Sequence, residues 1–136
     1  MYCNHCLPCS ADIDIAAVTR ILRLWNKRCD GNLRLGDGND CMEETLEWIS
    51  QSEYDVGTAQ AMLDSGRYIY AVFMCHLAVE KSLKAMVVKR TGDAPPRTHN
   101  LVNLLGLAQP SLTDEETRFI TRLGTAAVNP ISRGTQ

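Results

Sequence analysis

The chain has 136 residues, 22% of them charged, with a formal net charge of −2. That length supports one domain with a single core. The near-neutral balance excludes a molecule that is electropositive over its whole surface, so any contact with nucleic acid has to come from a local patch. No apolar run reaches the eighteen or so residues of a membrane span, and no basic start precedes a hydrophobic stretch, so a soluble protein of the cytoplasm is expected, with no membrane contact. Six cysteines, unevenly spread, do not make a secreted disulfide framework, and cytosolic thiols stay reduced.

The chain opens on "MYCNHCLPCS". Cys3, Cys6 and Cys9, with His5 between them, have a short spacing that suits zinc or an iron-sulfur cluster. A structural zinc site takes its remaining ligand from a second matched pair, and Cys29 and Cys41 stand alone. The reading set against metal is a disordered tail, and no cofactor is expected. Ser10 is a candidate cap for a helix through Arg28, with Ile13, Ala17, Ile21 and Leu24 on one face and Arg20, Arg23 and Lys27 toward water. The glycine and aspartate cluster "DGNLRLGDGND", Asp30 to Asp40, reads as a linker. Residues 1–41 are therefore expected to be an extension that the core fold does not require, residues 42–124 a helical bundle, and residues 125–136 an irregular tail.

From Met42 the spacing is helical throughout. Leu46, Ile49, Val56, Ala59 and Leu63 predict a first core helix stopped by Gly66. The segment Arg67 to Arg90 predicts a second, closed by Gly92 and the Pro95-Pro96 pair. Leu101, Leu104, Leu105 and Leu107 predict a short third helix ended by Pro110. Thr113 with Glu116 forms a capping box for a fourth, whose Phe119, Ile120 and Leu123 point inward. No strand-like alternation competes. The expected class is all-α, an up-and-down antiparallel four-helix bundle with an extra N-terminal segment.

Between Tyr68 and Val79 only His76 is strongly polar, so this helix is apolar around its circumference and needs cover on every side. Three neighbours do not easily supply that cover, which predicts contact with a second copy or another protein. Ala71, Cys75, Ala78, Ser82 and Ala85 form a strip of small residues open to close approach by a helix, beside a core face of Val72, Val79, Leu83 and Met86. A homodimer through the first and second core helices is the simplest assembly. Further along, Glu80 and Lys84 stand four apart in the favourable order. Of nine Lys and Arg residues after Met42, five lie from Lys81 to Arg97, and His99 follows. One reading is a solvated face; the other is a basic patch suited to phosphate. His76 is open in the same way, as a core histidine or a catalytic one.

The stretches from Trp48 to Val56, from Gly66 to Ala85 and from Pro95 to Leu105 resemble the HEPN domain, the higher eukaryotes and prokaryotes nucleotide-binding family. The most specific parts are Ala78-x-Glu80-Lys81-x-x-Lys84-Ala85 and Thr98-His99-Asn100-Leu101. The resemblance implies a dimerising helical bundle, similar to the substrate-binding helical domain of nucleotidyltransferases. It also implies nucleotide or RNA binding, with a nucleotidyltransferase as partner, in toxin-antitoxin or defence settings. Many such domains are metal-independent ribonucleases using an arginine, four to six residues, then a histidine. Here Arg67 to His76 and Arg90 to His99 each enclose eight residues, and Arg97 to His99 encloses one. The tyrosine-rich late helix of the family is replaced by "LGTAAVNPISRGTQ". The expectation is a non-catalytic module in which Lys81, Lys84, Arg97, His99 and Asn100 contact the nucleotide or RNA phosphate and Glu80 orients Lys84. The alternatives are a ribonuclease, with His99 moving the proton and Arg97 stabilising charge, and a purely structural interaction bundle.

Overall fold

A computed structural model describes residues 14–29 and 39–134, with side chains placed for residues 14–23 and 43–125. Five helices occupy them: α1 (Ile15–Cys29), α2 (Asn39–Asp64), α3 (Tyr68–Thr91), α4 (Leu101–Ala108) and α5 (Asp114–Gly134). Among the described residues there is no strand, as the all-α expectation requires. The Cys3, His5, Cys6 and Cys9 cluster, Ser10, and most of the expected linker lie outside the described residues. Among those described, no group of acids, histidines and cysteines is placed to hold a metal ion, and no helix is long and apolar enough to cross a membrane.

Local chemistry sets five of the helix ends. Asp14 starts α1, accepting the Ala17 amide at 3.0 Å. At the end of α2, Gly66 sits at φ 76°, where a side chain would be strained. The Gly66 amide donates to Leu63 O at 3.1 Å and the Arg67 amide to Met62 O at 2.7 Å, the paired bonds of a Schellman turn. Gly92, left-handed at φ 77°, closes α3 on Val88 O. Asn100 caps α4 by accepting from the amides of Val102 and Asn103 at 2.9 and 3.2 Å. The capping box of α5 forms as expected: Thr113 N donates to Glu116 Oε2 at 3.0 Å, and Glu116 N to Thr113 Oγ1 at 3.2 Å.

Helix α3 is the axis of the fold and contacts α1, α2, α4 and α5. Its small-residue strip is buried along its length, and α2 lies on it. Ser52 Oγ donates to Ala78 O at 2.6 Å and meets Ser82 Oγ at 2.9 Å; Trp48 faces Lys84 and Asp55 faces Lys81, so α2 and α3 run antiparallel.

Three expectations change. Helix α1 does not stand apart: Ala17, Val18, Ile21 and Leu22 are buried in the common core, and α1 contacts α2, α3 and α5. The neighbour missing from the count around α3 is thus the leader helix, whose apolar face needs burial as much as α3 needs cover. The backbone stays helical through Gly134, where the sequence predicts an irregular tail from residue 125 onward; Pro130 lacks an amide hydrogen but does not end the helix. Leu46 and Leu107 are exposed, not core, while Thr45, Ser52 and Asp55 are buried on the inner face of α2.

Candidate functional site

His76, Glu80 and Lys84 follow one another at four-residue steps along α3, so they share one side of the helix. Glu80 is their centre. Lys84 Nζ donates to Glu80 Oε1 at 2.7 Å, and His76 Nε2 lies 3.5 Å from Oε2. Lys84 is itself buried, with its ammonium 5.6 Å from the ring centroid of Trp48 on α2, a distance at which the ring face attracts a cation.

The fourth member comes from the connection to α4. After Gly92, Pro95-Pro96 keep the chain out of helix. The Thr98 amide then donates to Pro96 O at 2.9 Å, and the Asn100 amide to Thr98 Oγ1 at 3.1 Å. This turn lays His99 against α3, with Nδ1 at 3.0 and 3.2 Å from the two oxygens of Glu80. The His99 side chain is 82% exposed and that of Glu80 only 5%. A buried carboxylate thus holds a solvent-facing imidazole by one nitrogen.

Burial alone would raise the Glu80 pKa. Hydrogen bonds from His76 and Lys84, the Lys84 charge and the bond to His99 outweigh it and bring the carboxyl down to about 2. Glu80 is ionised at neutral pH and acts only as an acceptor. His76 is buried as well, and its Nδ1 has no hydrogen-bond partner among the described residues.

The other sequence candidates separate from this cluster. Lys81 turns to α2 and pairs with Asp55 at 2.7 Å. The Asn100 carboxamide oxygen is occupied by the α4 cap. Arg97 is exposed, two residues before His99, and makes no ion pair among the described residues. Arg90 donates to Leu107 O at the end of α4, where a cation suits the helix dipole. Lys81, Lys84, Arg90 and Arg97 therefore do not form one face. The sequence does not decide between a core and a catalytic His76, and it does not mark Trp48 or Asp55 as part of a site. The four-residue spacing of His76, Glu80 and Lys84 was the available signal for the first; the other two depend on how α2 lies on α3. Cys75 is buried, which pushes its thiol up to about 12 and keeps it neutral and inert.

The two most specific motifs, Ala78 to Ala85 and Thr98 to Leu101, meet at Glu80 and His99. A family model described as HEPN domain matches residues 45–130, a span that contains both motifs and starts in α2 after α1 has ended. The match covers more than half of the chain, and the chain belongs to this family. No curated protein and no solved structure matches.

Proposed function

We propose that the chain is a non-catalytic HEPN module that binds the phosphate of a nucleotide or RNA at the edge formed by Arg97 and His99, either alone or as partner to a nucleotidyltransferase. Membership of the HEPN family supports a nucleotide- or RNA-related role. The observation that carries the particular reading is the exposed His99 ring fixed by a buried, ionised Glu80, with Arg97 exposed two residues before it in the chain. Arg97 offers a forked donor suited to phosphate oxygens. Lys84 and Lys81, engaged with Glu80 and Asp55, support the surface by balancing its acids, and Asn100 shapes it by starting α4.

A second reading has its own observation. A histidine oriented through Nδ1 by a carboxylate, with Nε2 toward solvent, is the arrangement of a general base or acid. In that reading His99 accepts the ribose 2′-hydroxyl proton and Arg97 stabilises charge on the phosphate.

One experiment separates the two. A structured RNA and ATP are titrated at two salt concentrations, and the RNA is then examined for cleavage. The first reading expects intact RNA and salt-sensitive binding that weakens roughly tenfold in Arg97→Ala and in His99→Ala. Cleavage abolished in His99→Ala supports the second reading. Binding unchanged in both variants rejects the site, and cleavage retained in His99→Ala removes that residue from any mechanism.

A further inference from the structure

We propose that His99 is a proton-gated contact: with Glu80 taking the Nδ1 hydrogen, Nε2 repels an anion while the ring is neutral and binds one after the ring gains its second proton. The inference rests on the phosphate reading of the Arg97 and His99 edge and assigns that edge a regulation.

The geometry fixes the tautomer. Both Glu80 oxygens lie within hydrogen-bond distance of His99 Nδ1, and a carboxylate held ionised has only lone pairs to offer. A lone pair on Nδ1 would face two more at about 3 Å, so Nδ1 carries the hydrogen. Neutral imidazole has one N–H, which leaves Nε2 with its lone pair outward on a ring 82% exposed. A phosphate oxygen brought to Nε2 then meets acceptor with acceptor. Once the ring is protonated, Nε2–H donates and the ring adds a positive charge.

The groups around His99 do not substitute for this gate. On α3, Glu80 is shared with Lys84 and His76, and both of those are buried. On α2, Asp55 is taken by Lys81, and Trp48 lies against Lys84. Helix α4, sequence LVNLLGLA, has no titratable side chain. Arg97 keeps its charge at every relevant pH and supplies a constant contribution.

The test uses the full chain and a short oligouridylate, whose phosphodiesters stay ionised throughout. Affinity is measured at constant ionic strength at about pH 5.5 and about pH 8.5. The wild type is expected to bind roughly tenfold more weakly at the higher pH. His99→Gln should bind weakly and without pH dependence, and Arg97→Ala weakly but with the slope kept. Nitrogen-15 NMR of the imidazoles in the ligand-free wild type should show the hydrogen on Nδ1 of His99 at the higher pH. Equal wild-type affinity at the two pH values, or an Nε2–H tautomer, overturns the gate and leaves phosphate binding standing. Absence of binding at about pH 5.5 overturns both.

Discussion

Glu80 has three donors around one carboxylate, and its charge state ties the site to the stability of the fold. A carboxyl whose ordinary value is 4.5 falls to about 2, so the folded state holds Glu80 ionised where an unfolded chain would protonate it. The resulting stabilisation is fully present above pH 4.5 and is lost as pH falls through the folded value; its size is at most about 3 kcal/mol. Glu80→Gln should remove this contribution and leave the Lys84 ammonium buried without a counter-charge, costing about 3 kcal/mol at neutral pH. Urea titrations between pH 7 and pH 2 check both statements. The wild type should lose stability below about pH 4.5 more steeply than the variant, and parallel curves would mean that Glu80 is not held ionised by the fold. The pairing of Glu80 with Lys84 was legible, because it depends only on helix spacing. Its contact with His99 was not, because nineteen residues separate them and the turn at Pro96 to Asn100 sets the approach.

At the scale of elements, the parts fixed by local chemistry were the readable ones. The Gly66 and Gly92 stops, the Thr113 and Glu116 box and the inward face of Phe119, Ile120 and Leu123 all follow from spacing and capping within a few residues. The role of α1 did not, because an amphipathic helix does not state which neighbour will cover it. Val18 and Ile21 are fully enclosed in the shared core, and they make α1 part of the fold although the family match begins only at residue 45. Ile21→Ala should therefore lower the unfolding free energy by about 2–4 kcal/mol, the loss typical of a buried aliphatic truncation. Denaturant unfolding followed by far-ultraviolet circular dichroism measures it. An unchanged midpoint would show that α1 is an appendage after all. Ser52 illustrates the opposite difficulty: a serine in a helix reads as surface, yet it is buried here because Ala78 O and Ser82 offer it partners on α3.

For the molecule as a whole, one face of the first half of α3 stays uncovered. The four surrounding helices bury Ala71, Val72, Cys75, Ala78 and Val79, but Ile69 remains 63% exposed and Tyr70 59%. Phe73 and Leu77 are half-buried and follow Ile69 at four-residue steps, so these side chains form one apolar stripe. We propose that a second copy covers it. In a two-fold dimer each residue of the stripe is buried twice, once in each copy. Replacing Ile69 with lysine removes two buried aliphatic groups and places two like charges near the axis, which should weaken association by about 3 kcal/mol, or roughly a hundredfold in Kd. The same change leaves the enclosed core of one protomer intact, so its thermal midpoint measured at low concentration should stay close to that of the wild type. Sedimentation equilibrium of wild type and Ile69→Lys over a range of concentrations reads the effect directly. A wild-type dimer that becomes monomeric in the variant supports a self-complementary stripe. A wild-type monomer at every concentration, or a dimer indifferent to the lysine, rejects this face as the contact between copies.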